Sequence, residues 1–227
     1  MIAIPAKCKA LYKMSQTILI TAGATREHLD PVRFIGNRSS GHLGCQLALA
    51  AAIHGHNTTL LLSKASETPT THPRLQTHRF TTTRDLDSLM HQHWPSHSIL
   101  IMAAAVADFT PKGGCHNEKI GRANALSLAL VPTVDLVATA AKNARDDQRI
   151  IAFALCDEST LEEVAMEKLE RKGVDAIIAN PLQTMDSENI SATLYSKDGN
   201  FWSPPTDCSK TTFAHWLIEN ITTFLAS

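Results

Sequence analysis

Two lysines, Lys168 and Lys172, stand one helical turn apart in a stretch whose apolar residues Leu161, Val164, Ala165 and Leu169 recur at helical spacing. At roughly 100° per residue both lysines fall within that apolar stripe. Charge there is costly unless an anion meets it. Snorkelling towards water is one reading; a clamp on a polyphosphate is the other. A second candidate is Asn37-Arg38-Ser39-Ser40-Gly41-His42-Leu43-Gly44, at a predicted helix start. Free N–H groups and the helix dipole favour an anion at such a place, unless a serine simply caps the helix. The third is Ala103-Ala104-Ala105-Val106-Ala107-Asp108. Small side chains let a flat ligand approach the backbone, and Asp108 can accept from a hydroxyl or hold a hydrated Mg²⁺. Tight packing with a turn cap is the alternative there.

Other chemistries lack their residues. No contiguous G-x-G-x-x-G exists, the second predicted strand ends at Ser63-Lys64 without an acid for a ribose, and no G-x-x-x-x-G-K-[ST] occurs. The only tyrosines, Tyr12 and Tyr195, open no Y-x-x-x-K. His91, His93 and His97 resemble a metal cluster, but positions two apart lie on opposite faces of a helix. Cys156 beside Asp157 reads as a strand-end core residue rather than a nucleophile.

These candidates need elements to hold them. Short apolar runs at Thr17–Ala22, Thr58–Leu62, Ser98–Ala104, Arg149–Leu155 and Asp175–Ala179 predict buried parallel strands. Helical patterns lie between them at Gly41–His54, Thr83–Trp94, Thr133–Ala144 and Thr160–Lys172. Residues 192–204 predict a hairpin turning at Asp198-Gly199, and Thr211–Leu225 a closing amphipathic helix. The fold class is therefore α/β: a three-layer, Rossmann-like, mainly parallel sheet with helices on both faces. Residues 107–130 contain too much Pro and Gly for a regular element and read as a binding loop or flap. Residues 1–15 read as a tail, with Met14 a possible start, and 16–227 as a single domain.

The 21 basic and 22 acidic residues nearly cancel, so the chain has no electrostatic footprint for nucleic acid or an anionic membrane. A charged fraction of 19% and a hydrophobic fraction of 44% suit a folded core rather than disorder. The five cysteines are scattered, which suggests neither a disulfide framework nor a thiolate zinc site and fits a reducing cytoplasm. The longest apolar run, Ile99 to Ala107, is roughly half of what a membrane span needs.

Taken together, ITAGATRE, DPVRFIGNRSSGHLG, AAAVADFTP, EKI, VDLVA, the lysine pair and IIAN resemble phosphopantothenoylcysteine synthetase, from Thr17 to about Asn180. The resemblance implies a ligase of coenzyme A synthesis, joining 4′-phosphopantothenate to L-cysteine through an acyl-cytidylate made from CTP with Mg²⁺, as bacterial members do. It places the nucleotide on Met102, Ala103, Ala104, Asp108, Val134, Asp135, Leu136, Val137 and Phe153, with its phosphates on Lys168 and Lys172. It gives Asn37 the activated acyl group, puts Arg33 close by as a further catalytic residue, and makes Lys119 the flap lysine, which serves the chemistry and also contacts the nucleotide. Ser39, Ser40 and Gly41 would bind substrate phosphate or acyl groups. It further implies a cytoplasmic homodimer paired through the 107–130 segment and the hairpin. The length suggests a stand-alone synthetase without flavin, its decarboxylase a separate protein.

The chain departs from the family pattern in three places. The flap reads Lys119-Ile120-Gly121-Arg122 rather than K-I-K-K, Phe153 is followed by Ala154-Leu155-Cys156-Asp157-Glu158, and Pro132-Thr133-Val134-Asp135 replaces a proline–aspartate pair. A nucleotide-binding homologue with impaired catalysis, or an NAD(P)-dependent oxidoreductase on a Rossmann-type sheet, are the alternative functions.

Overall fold

Apolar, β-branched runs flanked by glycine form the strands of a computed structural model that describes residues 15–122, 126–184 and 187–225. The expected tail therefore lies, up to Met14, outside the described residues. The chain begins with β1 (Thr17–Ala24), a short antiparallel pair β2 (Arg26–His28) and β3 (Phe34–Gly36), then α1 (His42–Ile53) and β4 (Asn57–Ser63). Next come β5 (Leu75–Phe80), α2 (Thr83–His93), β6 (Ile99–Ala105), the pair β7 (Phe109–Pro111) and β8 (Leu130–Pro132), and α3 (Leu136–Lys142). β9 (Arg149–Cys156), α4 (Leu161–Lys172), β10 (Ala176–Pro181), β11 (Asn189–Ile190), β12 (Thr193–Ser196), β13 (Phe201–Trp202), β14 (Cys208–Ser209) and α5 (Lys210–Phe224) complete it.

The main sheet runs β13-β12-β10-β9-β6-β1-β4-β5. Neighbours from β5 to β10 are parallel, whereas β12 and β13 add an antiparallel edge. Numbering the parallel strands in chain order gives 3-2-1-4-5-6, the doubly wound order whose direction reverses between β1 and β6. A ligand crevice is expected beyond the carboxyl ends of those two strands.

Strand periodicity sorts the core into two layers. Ile18, Ile20, Leu60, Leu62, Ile99 and Ile101 pack on one face against α1 and α5. Leu19, Leu61, Leu100 and Met102 pack on the other, against α2, α3 and α4. The three-layer α/β architecture is thus as expected, and the hairpin forms with Gly199 at φ 77°.

Three local expectations need correction. β5 (LQTHRF) was not anticipated; as an edge strand it is buried only at Phe80 and carries no continuous apolar run. The third helix starts at Leu136 rather than Thr133, because Asp135 caps it by accepting from Ala138 N at 3.1 Å while residues 130–132 pair with β7. That pairing also gives the 107–130 segment strands at both ends.

Candidate functional site

Gly23, next to last in β1, has φ 85°, and Gly41, the N-cap of α1, has φ 80°. An added Cβ at Gly44 would sit 2.4 Å from Ala22 Cβ, so α1 approaches the end of β1 closely because residue 44 has no side chain. These glycines perform the packing of a glycine-rich nucleotide turn, although the β2–β3 pair separates Gly23 from Gly41. Ser66 fills the space beside them: its Oγ would lie 2.4 Å from a Cβ at Gly23 and 2.5 Å from one at Gly41.

A cavity of about 250 Å³ opens at the first turn of α1, lined by Ser39, Ser40, Gly41 and Gly44 and, across the crevice, by Ala103, Ala104 and Phe153. Among the described residues no side chain caps this helix at its N-cap Gly41, and Ser40 Oγ accepts a long 3.3 Å contact from His42 N. Ser39 and Ser40 line the cavity, at a helix turn suited to an anion.

A second cavity, about 550 Å³, meets the first across Ala104 and Phe153. Met102, Asp108, Val134, Asp135, Leu136, Val137, Lys168 and Lys172 all line it. Its size lies within the roughly 300–1,000 Å³ of small-ligand pockets. The β6 end is held in shape by buried threonines: Thr21 Oγ1 accepts from Ala104 N at 3.1 Å and Thr25 Oγ1 from Ala107 N at 2.8 Å. Thr133 donates to Ala107 O at 2.6 Å, bringing the α3 approach beside Asp108.

Lys168 and Lys172 are half-buried, as their place on the apolar stripe implies. Lys172 pairs with Asp135, the cap of α3. Burial opposes ionisation of Asp135, but the Lys172 ammonium and Ala138 N–H outweigh it and hold the carboxyl below its ordinary range. One cation is thus already fixed at the cavity wall. Cys156 is buried and its thiol is pushed up by that burial, in keeping with a core residue.

Three expected residues lie outside both cavity linings. Asn37 Nδ2 donates to Val106 O at 2.8 Å, which puts it at the edge of the second cavity. Arg33 is engaged with Asp30 and with Ile120 O. Lys119 is exposed beside Ile120. Among the described residues, no three His, Cys, Asp or Glu side chains are grouped to hold a metal, and no helix is long and apolar enough to cross a membrane.

Residues 14–225 match the family model described as the DNA/pantothenate metabolism flavoprotein C-terminal domain. The chain belongs to this family. It is 35% identical over 221 residues to the coenzyme A biosynthesis bifunctional protein CoaBC of Mycolicibacterium smegmatis (strain ATCC 700084 / mc(2)155), covering 92% of this chain and 53% of that protein. The chain spans about half the length of the curated relatives it matches. A crystal structure of the C-terminal domain of a coenzyme A biosynthesis bifunctional protein CoaBC superposes with TM-score 0.78 at 30% identity, covering 95% of this chain and 98% of that one. The DNA/pantothenate metabolism flavoprotein from Streptococcus pneumoniae superposes with TM-score 0.79 at 27% identity, covering 92% and 100%.

The cavities also use residues that sequence reasoning did not assign as ligands. Asn180 and Lys210 line the first, beside Arg38 and His42 of the block before and at the start of α1; Phe109, Thr133 and Arg171 line the second. Arg171 adjoins Lys172 and carried a signal in its charge alone. Lys210 comes from α5, far along the chain, and carried none.

Proposed function

We propose that the chain is a phosphopantothenate–cysteine ligase that activates its acid with CTP. The observation carrying this reading is the second cavity: the residues that the resemblance assigns to a nucleotide converge there, Ala103 and Lys119 excepted, with Lys168 and Lys172 on one wall. The adjoining cavity at the uncapped turn of α1 suits the anionic acid substrate.

In this mechanism the carboxylate of 4′-phosphopantothenate attacks the α-phosphorus of CTP, and pyrophosphate leaves with the bonding pair. Lys168, Lys172 and Arg171 neutralise the charge spreading over the phosphate oxygens, and Asp135 keeps Lys172 in place. The cysteine amine then attacks the acyl carbon, loses a proton, and CMP departs. Asn37 spends one amide hydrogen on Val106 O, and its second is available to the tetrahedral oxyanion. Mg²⁺ would arrive on the triphosphate and supply charge neutralisation there, with Asp108 as the carboxylate on the cavity wall.

Leu126, Leu128, Leu130, Phe109 and Phe201 are exposed in the single chain, which supports a homodimer through the 107–130 segment and the hairpin. Light scattering should then give twice the chain mass. The ligase reading is tested by mass spectrometry of a mixture of CTP, Mg²⁺, 4′-phosphopantothenate and cysteine. Phosphopantothenoylcysteine and CMP should appear in equal amounts; CTP consumption without the amide would overturn it.

A further inference from the structure

Asp30 is a carboxylate with no solvent exposure, and a buried charge of that kind must be fully paired. Its Oδ1 accepts from Val32 N and Arg33 N, both at 2.8 Å, which closes the turn between β2 and β3. Its Oδ2 accepts from Arg33 Nε at 2.9 Å, Arg33 Nη2 at 2.6 Å and Ile120 N at 3.1 Å. Arg33 Nη2 in turn donates to Ile120 O at 2.5 Å. Both the N–H and the C=O of Ile120 are thus held by one ion pair, from Asp30 and Arg33, lying 90 and 87 positions earlier. His116 N donates to Leu29 O at 2.9 Å, a further tie between the same two segments.

We infer that Asp30 and Arg33 act as a clip that fixes the backbone following Lys119 and so positions that lysine, which assigns both to positioning rather than to contact with substrate. The inference rests on the ligase reading insofar as Lys119 serves the reaction. Arg33 suits the task because its rigid planar fork holds the Asp30 carboxylate through Nε and Nη2 while Nη2 also reaches a carbonyl, a fixed geometry that the rotatable ammonium of a lysine does not impose. Burial opposes ionisation of Asp30, but the backbone N–H groups and the guanidinium outweigh it and hold the carboxyl well below its ordinary range. The Ile120 contacts are made by Asp30 and Arg33 without the Lys that the family pattern has at Gly121.

Asp30→Asn tests this selectively. The amide oxygen can keep the two turn contacts, whereas its NH₂ faces the donors of Arg33 and Ile120. Trypsin cleavage after Lys119 and hydrogen exchange at the Ile120 amide, both on the ligand-free chain, should rise at least tenfold while cleavage elsewhere stays constant. In the pyrophosphate-release assay Asp30→Asn should lower kcat more than it raises KM. Combined with Lys119→Gln, it should add less than twofold to the loss that Lys119→Gln causes alone. Arg33→Lys, which leaves the turn contacts in place, should reproduce the cleavage effect if Asp30→Asn does not fold. Unchanged cleavage and exchange, or kinetic losses that multiply, would overturn the clip. A wild-type chain without pyrophosphate release would overturn the ligase reading instead, since the cleavage measurements need no substrate.

Discussion

Replacing Gly44 by Ala sets two effects of opposite sign against each other. Alanine favours a helix over glycine by about 1 kcal/mol. Against that, the added Cβ would stand 2.4 Å from Ala22 Cβ, 3.1 Å from Ala22 Cα and 3.2 Å from Thr21 O. Carbon atoms normally approach to about 3.5–4.0 Å, so the first contact falls short by over 1 Å. Ala22 is a fully buried residue of the central strand and cannot give way as a flexible side chain would. The first turn of α1 must move instead, and overpacking of this kind costs about 1–3 kcal/mol. The expected net result is a loss of about 0–2 kcal/mol, or a Tm lower by up to roughly 8 °C for a chain of this size. Calorimetry on the purified variant measures it. The same displacement shifts Ser39–Gly41 in the first cavity, so the KM for 4′-phosphopantothenate should rise several-fold. A Tm raised by a few degrees would show helix propensity acting alone and would refute the close packing of α1 on β1.

Lys168→Gln and Lys172→Gln should each raise the KM for CTP at least tenfold, and steady-state kinetics with unchanged values would return the pair to surface snorkelling. Asn37→Asp should leave pyrophosphate release while stalling amide formation, so that acyl-cytidylate accumulates in quenched samples; equal loss of both steps would remove Asn37 from the second step. Stability should fall between pH 7 and 5. His56, His93 and His97 are held below the usual 6.5 by burial, with neighbouring histidines adding to it at His56 and His93. Because the unfolded chain takes up those protons first, stability is complete above about pH 6.5 and declines as pH drops towards the folded values. His93 Nε2 is buried without a partner among the described residues, and its ring lies 4.3 Å from that of His78. His93→Leu should accordingly flatten the Tm–pH slope, and an unaltered slope would exclude this cluster as its source.

The central strands were readable because each is a short apolar run, and burial on both faces demands that pattern. β5 was not, since an edge strand covered mainly at Phe80 can carry Gln76, His78 and Arg79. The 3-residue strands β2 and β3 are too short for any periodicity. Helical spacing put Lys168 and Lys172 on one face because both belong to one local element, whereas the cavity they line is assembled from several. The glycine turn escaped motif reading, since 17 positions separate Gly23 from Gly41 and only the fold closes that gap. The Asp30–Ile120 contact spans 90 positions and has no local signature at all.

Pyrophosphate release from CTP or ATP, with 4′-phosphopantothenate and Mg²⁺ and with or without cysteine, tests the central claim most directly. The account predicts a single burst near one equivalent of chain with CTP alone, continuous turnover once cysteine is added, and far slower release with ATP. No release with either nucleotide from a folded chain, or release indifferent to cysteine, would contradict it.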